Sequence, residues 1–305
     1  MQHIERIARQ AQRREKAASI FLTLCGLGMA LVPLLIGAFL LVKGTDTFFT
    51  FSHSLTEFLF SGLWQPSDTA AGGGQVGAAM FIMGSLVTCA LALVISLPFS
   101  LSSAIYMTEI ATPKRRRLIQ PAIELFTGIP SVVYGFVGMT VLIPALRKLF
   151  PLPFGFSVLA AGIVLAVMIF PTITTMAADA LAAVPKSWRE ASYGLGATLW
   201  ETIAHVVLPA ARGGIFTGII LGLARALGEA LAVAMVIGQM KVFPTSLFLP
   251  ASTMTTTISA DMGGAMEGGE YNAALWTLAL LLFLLSFLFI FIIHRLNAAG
   301  EGKEG

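Results

Sequence analysis

The sequence predicts an all-α, polytopic membrane protein with six transmembrane helices, and three observations carry that expectation. Of its 305 residues, 56% are hydrophobic and only 11% are charged, where an ordinary soluble domain has about 25%. Six apolar stretches reach the roughly 20 residues that a helix needs to cross the hydrocarbon core. No stretch alternates polar and apolar residues as a spanning strand would.

The first 16 residues, MQHIERIARQAQRREK, place Ile4, Ile7, Ala8 and Ala11 on one helical face. Basic residues surround that face, as suits a helix lying on an anionic membrane surface; a frayed basic tail is the competing reading. Residues 17–42 form the first span. They are too long for a signal-peptide core, no small-residue cleavage site follows, and Leu22 stands where a lipidation box before Cys25 wants a small residue, so a retained helix is expected. The next segment, 43–75, is aromatic at Phe48, Phe49 and Phe51 and ends in TAAGGGQVG, which reads as a flexible joint.

Five spans follow. Residues 76–107 carry Pro98 as a kink, and residues 125–146 are interrupted by Pro130 and Pro144. Residues 154–178 and 213–240 come next, the latter holding Arg225 and Glu229, and residues 271–293 close the set. The connection 241–270 carries polar and acidic residues suited to a soluble partner, with an unstructured link as the alternative. The chain thus divides into residues 1–75 (surface segment, first helix and outer segment), a five-helix core at 76–296 with a loop at 185–209, and a tail at 297–305.

Charge orients this arrangement. With the N terminus inside, 14 of the 19 Lys and Arg residues fall on the cytoplasmic side and four on the outer side. That asymmetry obeys the positive-inside rule and predicts both termini in the cytoplasm. The net charge of +3 offers no soluble basic face, so nucleic acid is not an expected partner, whereas membrane lipid is. Cys25 and Cys89 lie in separate spans without metal-ligand spacing, and His3, His53, His205 and His294 fall in loops or at span ends. No metal, cofactor or catalytic residue is expected. The chain also lacks H-E-x-x-H, G-x-S-x-G and a phosphate-binding G-x-x-x-x-G-K-[ST] loop, which excludes ATP hydrolysis by this chain.

The loop between spans four and five reads PKSWREASYGLGATLWETIAHVVLP from Pro185 to Pro209. Pro185 suits a first helical turn, and Gly194 with Gly196 would break the helix, predicting two short helices with a bend. Trp188, Tyr193, Leu195, Leu199, Trp200 and Ile203 give it more apolar surface than a solvated link needs. Such surface marks a docking site, packing against its own bundle being the alternative.

At this loop the chain resembles the membrane subunits of ATP-binding cassette importers that work with an external binding protein. Their signature is E-A-A, three residues, Gly, nine residues, then I-x-L-P. Here Glu190, Ala191 and Ser192 lead to Gly196, and Val206, Val207, Leu208 and Pro209 close the pattern at the same spacing. Ser192 and Val206 are the two departures. The resemblance implies that residues 188–208 seat on a cytoplasmic ATPase and transmit its closure, with Trp188, Glu190, Ala191, Gly196, Leu208 and Pro209 as coupling residues. TGIPSVVYGF (127–136) and ARALGEALAVAMVIG (224–238) look like the phosphate-specific importer permeases, closer to the PstC type than to PstA. This resemblance covers residues 76–296 well. It implies the type-1 permease fold of these importers in a bacterial inner membrane, a second permease subunit of PstA type, a PstB-type ATPase dimer and a PstS-type external phosphate-binding protein.

The charged span gives that expectation chemical content. One charge at the bilayer centre costs about 2.5–3.5 kcal/mol on insertion scales. Four residues apart on a helix, Arg225 and Glu229 can meet. A buried ion pair locking two helices is one reading. The other is an anion pathway, in which the permanently charged guanidinium fork of Arg225 matches two phosphate oxygens. Glu229 would then accept a hydrogen bond from the P–OH of phosphate, which ionised sulfate lacks. Gly128, Pro130 and Gly135 could open span three, where Ser131 and Tyr134 offer hydroxyls to the pathway, as do Thr172, Thr174 and Thr175 in span four, Thr174 above all. Small-residue helix packing is the alternative for each. A permease for sulfate, molybdate, tungstate or phosphonate, or an ion-coupled carrier with a midplane charge pair, remains the rival. The carrier would not need the loop 185–209.

Overall fold

A computed structural model describes residues 2–150 and 155–301. Six helical segments in it are long and apolar enough to cross a membrane: Ala18–Phe49, Ala79–Ile110, Ser131–Leu149, Val158–Ala183, Leu199–Gly228 and Glu270–Ile292.

The first helix, α1 (Gln2–Gly44), is uninterrupted and contains Pro33. The segment expected to lie on the membrane surface is thus part of the same helix as the first crossing. The side chains of Ile4, Ile7, Ala8 and Ala11, on which the amphipathic reading rests, lie outside the described residues, as does Phe154. Short helices α2 (Asp46–Phe49) and α3 (Leu55–Phe60) follow, then the antiparallel pair β1 (Trp64–Gln65) and β2 (Gln75–Val76), with Trp64 opposite Val76. Next come α4 (Ala79–Ile105), α5 (Pro113–Gly128), α6 (Ser131–Val137), α7 (Ile143–Leu149) and α8 (Val158–Ala183). The chain ends with α9 (Lys186–Gly194), α10 (Leu199–Thr202), α11 (Leu208–Gly228), α12 (Leu231–Ile237), α13 (Met254–Asp261) and α14 (Glu270–Glu301).

Helices α4, α8 and α11 form the centre, and α8 is the most enclosed. Its alanines and glycine (Ala160, Ala161, Gly162, Ala166, Ala177, Ala178) are buried, as expected where helices in lipid gain stability by close van der Waals approach rather than by the hydrophobic effect. Helix α1 lies outside this centre along α14, where Gly37 and Gly44 face Phe283 and Leu280. Thr277 on α14 donates to the Gly44 carbonyl at 2.7 Å and fixes its end.

Two prolines in the crossings follow widened turns, whereas Pro33, Pro98 and Pro171 lie within continuous α-helices. Two π-turns, Gly138–Leu142 and Ile203–Val207, each end two residues before a proline, Pro144 and Pro209. A proline ring clashes with the carbonyl four residues back, and the wider turn moves that carbonyl aside. Pro209 therefore lies inside a continuous helix: α10 runs through the π-turn into α11, so the helix that carries the fifth apolar stretch starts at Leu199, within the predicted loop. Pro130 has the opposite effect and separates α5 from α6, so the third crossing starts at Ser131. Gly135 does not open this helix. It lies buried against α12, where a Cβ would come within 2.9 Å of the Ala232 Cα.

One face of the bundle carries residues 46–78 and 239–269, joined in a cluster of Phe58, Trp64, Val76, Phe81, Met254 and Leu275; we call it the distal face. The glycine run there is not a free joint. Glu270, fully buried at the start of α14, accepts the N–H groups of Ser67 (2.6 Å), Gly73 (3.0 Å) and Gly74 (2.9 Å). His53 Nε2 lies 2.7 Å from the same carboxylate, and its Nδ1 is 3.2 Å from Glu57. A Cβ on Gly74 would sit 2.4 Å from the Ser67 nitrogen and 2.6 Å from the Glu270 carboxylate, so glycine is required by this close approach.

Candidate functional site

Helix α11 stops at Gly228. Glu229 is extended (φ −77°, ψ 121°) and α12 begins two residues later. The fifth apolar stretch is thus a broken helix, and the expected pairing of Arg225 with Glu229 on one helical face is not formed. The backbone between them leaves the helix before Glu229, and no ion pair among the described residues joins the two. A break inside a membrane segment frees polar backbone groups that need partners. Glu229 supplies one itself, its Oε1 accepting the Ala232 N–H at 3.0 Å at the start of α12. Its carbonyl accepts the Thr255 hydroxyl at 2.9 Å. Glu229 also lines a small cavity with Ser85, Thr88, Thr253 and Thr255.

Arg225, one turn before the break, donates from Nη1 to the Thr172 hydroxyl at 3.0 Å. The Arg225 side chain is half-buried. Tyr134 donates to the Phe126 carbonyl at 2.6 Å and so ties α6 to α5 across the Pro130 break. Ser131, half-buried, opens α6 three residues before it. Thr174 stands apart. It is fully buried and donates to the Phe170 carbonyl of its own helix at 2.7 Å. Thr172 meets Arg225 instead, because residues two apart on a helix point about 200° away from each other. Thr174, ranked first from the sequence, is thus not the threonine that meets Arg225, because the sequence does not tell which helix face turns toward α11.

On the other face of the bundle, the proximal one, α9 ends at Gly194, and Gly196 turns the chain with φ +86°, a left-handed conformation that glycine adopts without strain. Thr198 then starts α10 through a capping box with Glu201. Leu195 is 90% exposed, Trp200 63%, and Trp188 and Tyr193 nearly half. Glu190 and Ala191 are exposed as well, as is Pro209. Leu208 turns inward and packs on the cluster around Ala104, Ala177 and Val207. The loop therefore presents an exposed surface of large apolar side chains with charged neighbours.

Two contacts hold the loop in place, and neither was anticipated. Ser192, a departure from the signature alanine, bonds the Thr202 hydroxyl at 2.9 Å in a buried contact between α9 and α10. Arg189 makes a two-pronged pair with Glu109 at 2.8 and 3.1 Å and also donates to the carbonyls of Leu181 and Val184 at the end of α8. It thereby joins the loop to two crossings. Arg189 and Glu109 are 80 residues apart, and no sequence spacing signals them. Ser192→Ala should lower the stability of the purified protein by about 1–3 kcal/mol, since Thr202 is left buried without its partner. The double change Ser192→Ala with Thr202→Val should recover most of that loss in denaturant or thermal unfolding. Equal losses for the single and double variants would refute the assignment.

Comparison with known proteins follows the same lines. Residues 96–299 match the family described as "Binding-protein-dependent transport system inner membrane component". The chain is 45% identical to the "Probable ABC transporter permease protein YqgH" of Bacillus subtilis, over 96% of this chain and 95% of that one. It is 37% identical to the "Phosphate transport system permease protein PstC" of Pasteurella multocida, over 85% and 84% of the two chains. A crystal structure of a bacterial ABC transporter that imports alginate has a similar fold, with a TM-score of 0.59, 15% identity, and coverage of 96% of this chain and 98% of that one.

Proposed function

Because the chain belongs to the family of binding-protein-dependent transport system inner membrane components, we propose that it passes inorganic phosphate across the bacterial inner membrane. It is the multi-pass permease of an ATP-driven importer and not itself catalytic. ATP hydrolysis lies in a separate subunit, and a second permease and an external binding protein complete the transporter. The partners we assign are a PstA-type permease, a PstB-type ATPase dimer and a PstS-type phosphate-binding protein, in keeping with the PstC-named relatives. Both termini face the cytoplasm and the distal face is external, as the asymmetry of 14 against four basic residues supports.

The observation that carries the cargo assignment is Arg225 at a helix break. It is a permanent cation in a membrane segment, bonded to a neutral hydroxyl rather than cancelled by a carboxylate. Its fork can take two oxygens of a phosphate, while Tyr134 and Ser131 line the approach. Glu229 beside it holds down the site's net attraction, since a site that binds too tightly would trap the ion. It also favours an oxyanion that still carries a proton. Thr174 contributes packing rather than a hydroxyl to the path. Trp188, Glu190, Ala191 and Gly196 form the ATPase-facing part of the loop, and Leu208 and Pro209 join it to α11. Residues 76–296 would hold this machinery, with residues 1–75 and the tail at 297–305 appended to it.

The test is uptake of labelled phosphate by the complete complex in proteoliposomes loaded with ATP. Phosphate should enter, and excess sulfate or molybdate should not compete. Glu229→Gln, which keeps a side-chain oxygen for Ala232, should raise sulfate entry relative to phosphate. Wild-type entry of sulfate or molybdate in preference to phosphate would overturn the cargo assignment.

A further inference from the structure

We infer that Thr255 is a positioning residue through which the distal segment 239–269 sets the helix break beside Arg225. The inference rests on the pathway reading above. It begins with the backbone of the break. Glu229 donates its N–H to the Ala226 carbonyl at 3.3 Å, and its carboxylate takes the Ala232 N–H. Both partners belong to α11 or α12, so these bonds travel with the broken helix. The Glu229 carbonyl differs. Its partner is the Thr255 hydroxyl, 26 residues on and in a separate element, with Thr255 only 8% exposed.

Helix α13 is itself firmly seated. Gly84 on α4 has no side chain, and the Ser252 carbonyl occupies the space, 2.1 Å from where a Cβ would be. The Met254 N–H donates to Ser85 at 3.0 Å, and Thr253 with Thr256 forms a capping box over the first turn. Met254 is fully buried in the distal cluster with Phe58, Trp64 and Leu275. At the other end of α13, Asp261 is held by Lys241 at 2.8 Å and by the Tyr271 hydroxyl. The segment leaves α12, folds back onto the break, and is fastened at both ends. A displacement of the distal segment must therefore strip the Glu229 carbonyl of its partner or carry Glu229 with it. Either outcome moves the chain next to Arg225. The Thr255 hydroxyl thus makes the side-chain bond that ties the distal segment to the Glu229 backbone at the break.

Cys89 reports on this contact independently of transport. It is 3% exposed and lines the same small cavity as Glu229 and Thr255, whereas Cys25 is exposed. In a Cys25→Ser background, Thr255→Val should raise the rate of Cys89 labelling by a maleimide about fivefold to tenfold, the opening expected from losing one neutral hydrogen bond. Thr255→Ser should label at the parental rate. In the reconstituted complex, Thr255→Val should lower the maximal rate of phosphate uptake by a similar factor with little change in KM, and Thr255→Ser should restore it. Parental labelling and uptake in Thr255→Val, or a defect in Thr255→Ser equal to that in Thr255→Val, would overturn the inference. If the wild-type complex moves no phosphate, the cargo assignment fails, while the labelling comparison still decides the role of Thr255.

Discussion

Arg225→Gln should reduce phosphate uptake by about a hundredfold or more in cells without another uptake route, at unchanged membrane levels of the protein. The guanidinium can offer two charge-assisted hydrogen bonds to the passing anion, each worth about 1.5–3 kcal/mol, and two such bonds at even the lower value correspond to about a hundredfold. Folding should suffer little. The side chain is half-buried, and among the described residues its hydrogen bond goes to the neutral Thr172 hydroxyl, so no buried charge loses its partner. Arg225→Lys should recover only part of the activity, because an ammonium keeps the charge and loses the planar fork. Uptake near the wild-type rate in either variant would remove Arg225 from the pathway.

The second large effect is on assembly. Glu270→Ala should cost about 3–5 kcal/mol, the range for breaking a buried charged pair. It would also leave the N–H groups of Ser67, Gly73 and Gly74 without their acceptor. The protein should fail to accumulate, and its distal segment should become accessible to protease. Glu270→Gln, with one oxygen retained, should fall between alanine and wild type. Burial works against the protonated form of His53, but its hydrogen bonds to Glu270 and Glu57 outweigh that and hold its pKa above the ordinary value. The sign follows from linkage. A raised folded-state pKa adds stability that is fully present below about pH 6.5 and is lost as pH rises through the folded value. The stability difference between wild type and His53→Gln should therefore be largest in mild acid and shrink above neutrality. A difference that grows with pH would contradict the pairing.

These two residues show how unevenly the site was legible. Arg225 stands out in any reading of the sequence, because a cation in an apolar run is costly and needs a reason. Glu270 looked like a polar residue at the mouth of the last crossing, suited to a partner. Only the folded chain reveals that three backbone amides and His53, 217 positions away, converge on it. The signature loop was readable because its glycine, prolines and spacing are local. The contacts that hold it in place were not, since Ser192 reads as a small departure from alanine until Thr202 is placed against it.

The sequence by itself determined the class, the six candidate crossings, their expected orientation, the loop that carries the family signature and the presence of two charges in the fifth apolar stretch. Each follows from composition, segment length or short spacing, and a helix in lipid satisfies its own backbone bonds whatever its neighbours do. Tertiary structure decided where that rule fails. The break at Glu229 separates two residues that an unbroken helix would have paired, and it is satisfied partly from outside, by Thr255. The choice of Thr172 over Thr174 for Arg225 and the closure of the glycine run on Glu270 were decided in the same way. A hydrogen bond between distant segments depends on how helices pack, and no local pattern of residues encodes it.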